Sequence, residues 1–329
     1  MSERHLLAMT APMREDFTIP YHDIGAGDLP VDVALVGGVH GNEINAISVL
    51  SRLSAFLRGI VEGRYPGLSF KGRVLIVPAI NVLGVNTRHR DWPFDGTDIN
   101  RMYPGTPFGE TTQRIAYQVL ALTKPARYRI DVHSSNLDFE ELPQVRLFEG
   151  SDAERATAQH FNLPAVVEYP VSRAYTTSLN VAWKPWPGQN FVLVGGQAGY
   201  LQSDHCSRMI NGLTAFLSKI GLIEGLDPDR DGENVHHFGL GQVYPLISEG
   251  AGLFVPRVTV GRWLRQGEGL GTVFDAFDGR AIAEIFAPCS GLLTGIRRQP
   301  LMCQGDLVAR IHSLAATERD FGWLEPHGQ

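Results

Sequence analysis

Cysteine, charge and long apolar runs are all scarce in this chain. Only three of its 329 residues are cysteines, Cys206, Cys289 and Cys303. None stands in a C-x-x-C, which argues against a disulfide framework or a cysteine-built zinc module, fits a reducing compartment, and leaves all three to be read as small core residues. Charged residues make up 19% of the chain and the net charge is −6. An acidic balance with scattered basic residues excludes the electrostatic footprint of a nucleic-acid binder. No apolar run approaches the roughly 20 residues that span a bilayer, so no membrane partner is expected. The opening MSERHLLAMTAPMREDF lacks the basic, apolar and small-residue order of a signal peptide, and a cytoplasmic location is the expectation. What is present is ordinary for a soluble globular protein: 43% hydrophobic residues and enough length for one large or two modest domains.

Between residues 30 and 220 the pattern alternates. VDVALVGG (31–38), GRVLIVPAIN (72–81), RYRIDVH (127–133), LPAVVEYP (163–170) and NFVLVGG (190–196) read as buried strands. Helical spacing marks 42–61, 109–124, 152–161 and 205–222. Continuous apolar strands separated by helices imply a mostly parallel sheet covered on both faces. Ligands of such sheets gather beyond the carboxyl ends of the strands, where His40, Asn81, His133 and Gly195 all fall. From about Glu224 the texture changes. GLDPDRDGENVHHFG (225–239) reads as a linker or exposed loop, with His236 and His237 solvated. Two near-repeats follow, 252–273 and 291–311, each with short β-type runs and a Gln-Gly turn, as a small sandwich of strands needs. The expected division is therefore 1–224, an α/β domain, and 225–329, a β-rich domain.

His40 and Glu43 in GGVHGNE and His133 in DVHSS look like the ligand set of one zinc ion. A catalytic zinc takes three N/O ligands and keeps a position open, and His2Glu is a recurring set. An H-x-x-E pair opening a helix puts both side chains on nearly one face, and the second histidine comes from another strand end of the same sheet. H-x-x-E alone is a weak signal, and a lone His beside a Gly-rich turn is more often a hydrogen-bonded loop residue. Gly37, Gly38 and Gly41 around His40, and DGTDINRMYPG (95–105) between the two histidines, change that balance. Other divalent metals accept the same donors.

With these motifs the chain resembles the succinylglutamate desuccinylase/aspartoacylase family, a branch of the zinc carboxypeptidase-like hydrolases. GGVHGNE, the DG-x-D-I-N-R-x-Y-P-G stretch, DVHSS followed by LPQVRL, and the closing β-rich part carry the resemblance over most of the chain. It implies a three-layer α/β/α sandwich with a mixed sheet, at least one antiparallel pairing included, followed by a barrel-sandwich, lipoyl-like domain. It implies one Zn2+ on His40, Glu43 and His133. It assigns the substrate carboxylate and the polarised carbonyl to Asn100 and Arg101, with Arg90, or as runner-up Arg88, as a further substrate or oxyanion arginine. Asp131, two residues before His133, reads as core-edge structure more than as a partner of the imidazole. The activity implied is hydrolysis of the amide bond of a small, anionic N-acylated amino acid or related carboxylate; a peptidase for short peptides is a third reading. The oligomeric state, homo-oligomer included, stays open.

One departure stands out. The family carries a glutamate after the last core strand, acting as general base on the attacking water and then as acid toward the leaving amine. Here the stretch is FVLVGGQAGYLQSD (191–204), with Leu193 or Val194 in that place, and the amide of Gln197 cannot accept and return a proton at neutral pH. Glu140, Glu141 or Glu168 could reach the site from a neighbouring strand end, the substrate could assist, or the protein could hydrolyse poorly and mainly bind small carboxylates.

Overall fold

The computed structural model describes residues 4–10, 13, 16–229 and 234–314. Its centre is a run of parallel strands, Arg73–Val77, Val33–Gly37, Tyr128–His133 and Gln189–Gly196, hydrogen-bonded in that order. Phe17–Gly25 adds to one side antiparallel. On the other side Phe139–Phe148 runs antiparallel to Gln189–Gly196. The sheet is thus mixed, as the resemblance implied, with helices on both faces. Helices Ile44–Val61 and Ser203–Lys219 bury one stripe against Leu35, Ile130, Phe191 and Leu193, with Phe161 stacked on Phe216 at 4.4 Å. Helices Thr111–Thr123 and Leu179–Trp183 cover the opposite face over Val36 and Val77. Each large side chain buried this way contributes about 1.5–3 kcal/mol, so the sheet is fixed from both sides. Helix Ile44–Val61 is long and apolar enough to pass a test for a membrane span, but half of it is buried inside the protein, as in a core helix.

Strand Phe139–Phe148 was not legible, and it is a junction. Its second half pairs in parallel with Ala165–Tyr169, while its first three residues pair with Gly291–Arg297 from the C-terminal β-rich part. The hydrogen-bonded sheet therefore runs on through Leu307–His312 and Val243–Ile247. A separate four-stranded antiparallel sheet completes that part. The two near-repeats fold alike, long strand, short strand, long strand, and they exchange partners. Trp263–Leu264 of the first pairs with Gly291–Arg297 of the second, and Leu301–Met302 of the second pairs with Gly252–Pro256 of the first.

Three expectations need correcting. Residues 225–239 are not all loop: His236–Phe238 is a strand parallel to Ala165–Tyr169, and the His236 ring packs 4.9 Å from Trp263. This end of the segment folds because Phe238 is an apolar anchor, buried among Val167 and Leu292. The cysteines are not uniformly core residues: Cys206 is buried, Cys289 intermediate and Cys303 exposed. Cys303 lies in the turn after Leu301–Met302, its N–H bonded to Asp306, where no core is within reach. Finally, the first core helix begins at Ile44, so Glu43 is its N-cap and not part of its first turn.

Candidate metal centre and substrate cavity

The loop carrying His40 is tightly folded, which explains its glycines. Gly38 has φ +56°, and a Cβ on Gly41 would lie 2.1 Å from the Gly84 backbone. Gly41 N–H donates to the Arg90 carbonyl at 3.0 Å, so the His40 loop and the Arg90 segment are held together. Asn81 supports the same junction. Its side chain accepts from Gly84 N–H and donates to the Arg90 carbonyl, a capping role and not a site role.

His40, Glu43 and His133 converge, with ligand atoms within 4.8 Å of one another. His40 Nδ1 is 2.6 Å from Glu43 Oε1, and His133 Nδ1 is 3.0 Å from Glu43 Oε2. Behind each ring stands a carboxylate: Asp98 Oδ1 lies 3.2 Å from His40 Nε2, and Asp131 Oδ2 lies 2.9 Å from His133 Nε2. Asp131 is thus a direct partner of the imidazole, not merely core-edge structure. Alternation along Tyr128–His133 sends residues 131 and 133 to one side of the sheet. Asp98 had no place in the sequence reading, although it stands two residues before Asn100 in the quoted D-I-N-R. It also accepts from Asn100 N–H and caps the short 3-10 helix Ile99–Arg101.

This donor set fits a divalent cation. Metal-ligating histidines present one nitrogen to the ion and donate the other N–H to a carboxylate or carbonyl, and both rings are posed that way around Glu43. Three carboxylates face two imidazoles, and Asp131 Oδ1 is buried without a hydrogen-bond partner. Burial lowers the His133 pKa, but Asp131 and Glu43 outweigh it and raise it to about 10. Burial likewise lowers His40, and Glu43 with Asp98 overcomes it. Burial pushes the Glu43 carboxyl up, and the two imidazoles hold it well below the usual range.

The cluster forms one end of a cavity of about 210 Å³, which Arg90, Asn100 and Arg101 also line. Arg90 Nη2 is 2.8 Å from His40 Nε2 and 3.5 Å from Asp98. A single ring nitrogen cannot both donate to Asp98 and accept from Arg90, so a ring with its proton on Nε2 gives up the Arg90 contact and leaves Arg90 beside Asp98 at 3.5 Å and Glu43 at 3.8 Å. Arg88 is elsewhere, an exposed left-handed residue ending helix Val82–Thr87. Asn100 Oδ1 accepts from Leu179 N–H at 3.0 Å, which leaves its NH2 end for the cavity. Arg101 lies 5.6 Å over the Tyr175 ring and forms no ion pair among the described residues.

The glutamate question resolves by alternation. Phe191 and Leu193 point into the helix-covered core, whereas Val192 and Val194 line the cavity, and Val194 is in register with His133. Of the two candidate positions, Val194 therefore faces the cavity, and it is apolar. Glu168 is tied to Arg155 at 2.7 Å, and Glu140 to His205 at 2.6 Å and to Arg298, and neither lines the cavity. Glu141 does line it, paired with Arg146 at 2.5 Å and with Arg310. Burial raises its pKa, and the two guanidiniums outweigh this and hold it below the usual range, which makes it a weak proton acceptor. Sequence reading assigned no role to Arg146 or Arg310. A cation inside the apolar runs LPQVRLF and LVARIH was the available signal, since arginine is rarely buried unless paired.

The mixed α/β sheet brings together, beyond its strand ends, a His-Glu-His group that could hold a metal ion and a set of arginines. A family model for the succinylglutamate desuccinylase/aspartoacylase catalytic domain matches residues 30–220, and the chain belongs to that family. The N-alpha-acetyl-L-2,4-diaminobutyric acid deacetylase of Halomonas elongata is 28% identical over 304 residues, covering 89% of this chain and 85% of that one. Among solved structures, a succinylglutamate desuccinylase/aspartoacylase from Rhodobacter sphaeroides superposes with a TM-score of 0.76 at 22% identity, covering 95% of each chain. The product-bound ectoine utilization protein EutE (DoeB) of Ruegeria pomeroyi gives 0.73 at 24% identity, over 91% of this chain and 90% of that one. At these identities the structural likeness speaks for the fold alone.

Proposed function

We propose that the chain is a zinc-dependent amidohydrolase that removes the acyl group from a small N-acylated amino acid or related carboxylate, acting on a C–N bond other than a peptide bond. The observation that carries this reading is the convergence of His40, Glu43 and His133 in the lining of a cavity that Arg101 also lines. A relative named as a deacetylase of an N-acetylated amino acid supports it. The three side chains would hold Zn2+, which when bound acts as a Lewis acid and lowers the pKa of water toward about 7. Arg101 offers a rigid fork to the substrate carboxylate and Asn100 an amide N–H beside it. Arg90, released from His40, would polarise the scissile carbonyl as charge develops on its oxygen. A cavity of about 210 Å³ suits a small acylated amino acid. We place the protein in the cytoplasm. We take residues 225–329 as a barrel-sandwich, lipoyl-like domain that closes the pocket behind the 1–224 hydrolase domain.

A second reading is favoured by one observation, the apolar Val194 at the position facing His133. Without a general base an enzyme forfeits about 10²–10⁴ in rate, so a weakly active or non-catalytic metal-containing protein that binds small carboxylates is the alternative. Metal analysis together with amine release from a panel of N-acyl amino acids separates the two. Turnover by the zinc-loaded protein, with kcat/KM about 10- to 100-fold lower in Arg101→Gln, supports the hydrolase. Micromolar binding of the same compounds without any amine release sinks it.

A further inference from the structure

Away from the cavity, the separate four-stranded sheet of the β-rich part is apolar on both faces. Its strands Ala281–Phe286, Gly269–Phe274, Gly252–Pro256 and Leu301–Met302 lie in that order. Alternation sorts their side chains. Phe254, Val273 and Met302 point inward to a shared core, and Ile285 packs against it. The opposite set points outward, where a packed sheet usually carries polar residues. Here Leu301 pairs with Leu253 and Leu253 with Phe274, while Val255 pairs with Thr272 and Thr272 with Glu284. Phe286, two residues past Glu284, shares their side. Val255, Phe286 and Leu301 are 48%, 53% and 63% exposed, and Phe277, on the turn just beyond Phe274, is fully exposed. Arg257 reaches over Thr272 to Glu284, its Nη1 2.9 Å from Oε2.

Area and charge say what fits there. With Phe277, Val255, Phe286, Leu301 and the Arg257–Glu284 pair, the face offers roughly 600–800 Å², against about 800 Å² per partner in a standard interface. Arg257 and Glu284 neutralise each other within the chain. The face therefore carries no net charge that would select an acidic or a basic partner, and its own duplicate meets it without like-charge repulsion. A two-fold interface demands that self-complementarity. We propose that two copies of this chain dock through this face, sheet against sheet across a two-fold axis. Val255, Phe286 and Leu301 then fill the space between sheets that stack about 10 Å apart. None of the four strands lines the cavity, so each copy keeps a complete site, and the dimer does not depend on what that site binds.

Sedimentation velocity on the full-length chain between about 1 and 100 µM tests this. A single species at twice the chain mass is expected. In hydrogen exchange, amide protection along Gly252–Pro256 and Ala281–Phe286 should rise with protein concentration. Val255→Glu and Phe286→Glu each place an unpaired carboxylate on the face of both copies. Either should weaken the dimer at least about 100-fold, with circular dichroism and metal content unchanged, because both side chains face solvent in one chain. Phe108→Glu, at an exposed apolar position of the α/β part, is the control and should leave the dimer intact. A chain that stays monomeric at about 100 µM overturns the proposal, and that result needs no variant to fold. So does a dimer that survives both glutamate variants, or one that Phe108→Glu breaks instead. Growth beyond two copies would rule out a closed two-fold pair. A monomer that dimerises only once residues 315–329 are removed would give the face to that segment, and overturns the proposal as well.

Discussion

The two ends of the cavity treat charge in opposite ways. At the strand ends, three carboxylates (Glu43, Asp98, Asp131) surround two imidazoles, and Arg90 stands 3.5 Å from Asp98. Across the cavity, two guanidiniums share one carboxylate, and the deficit is of negative charge. Buried ionic groups are costly unless matched, and both groupings line the same cavity.

The largest effect should come from removing the centre of the negative end. Glu43→Ala deletes the carboxylate that both imidazoles share; metal content measured by elemental analysis should fall to background, and turnover by about 10⁴-fold with it. Retention of stoichiometric metal would break the comparison. Val194→Glu sharpens it from the other direction by adding a proton acceptor in register with His133. Turnover should rise by about tenfold or more, since a positioned base is worth about 10²–10⁴; unchanged turnover would mean that proton transfer is handled elsewhere. Asp131→Asn keeps the shape behind His133 and removes the charge, and metal affinity in a chelator competition should drop about 10- to 100-fold.

A separate effect, on stability and not on the reaction, concerns the ground behind the positive end. His312 is fully buried, with Nδ1 2.7 Å from Thr294 and Nε2 without a partner. Burial, and then Arg310 and Arg146, depress its pKa from 6.5 to about 3. The unfolded chain takes up a proton below about 6.5 that the folded chain refuses, so stability is full above that pH and is lost as pH falls toward about 3. His312→Gln should flatten the melting temperature between those limits, removing a loss on the order of a few kcal/mol. An unchanged acid slope would show that His312 does not feel the arginines.

How much of this was readable in advance follows from where each feature is encoded. The alternation from 30 to 220 could be read because buried parallel strands are continuous apolar runs and their covering helices carry period-3.6 stripes. His40, Glu43 and His133 were readable because glycines and strand ends flank them. Phe139–Phe148 was not, because FEELPQVRLF mixes acids, a proline and an arginine, and its bulge breaks the period of two on which strand recognition depends. Glu141 could be named as a carboxylate near the site, but its two arginines could not. Arg310 is 169 residues away, and only sheet pairing brings it close. Asp131 was misjudged for a related reason: alternation gives a side chain's direction, while its partner depends on the ring orientation that Glu43 imposes on His133.

Adjacent glutamates on the junction strand carry a last consequence. Glu140 holds Arg298 and Glu141 holds Arg310, one on each side of the same backbone. The β-rich part therefore supplies one jaw of the pocket as well as a cover for it. A recombination that exchanged the β-rich part for the equivalent segment of a relative would replace Arg310 in the lining of the cavity while leaving His40, Glu43 and His133 in place.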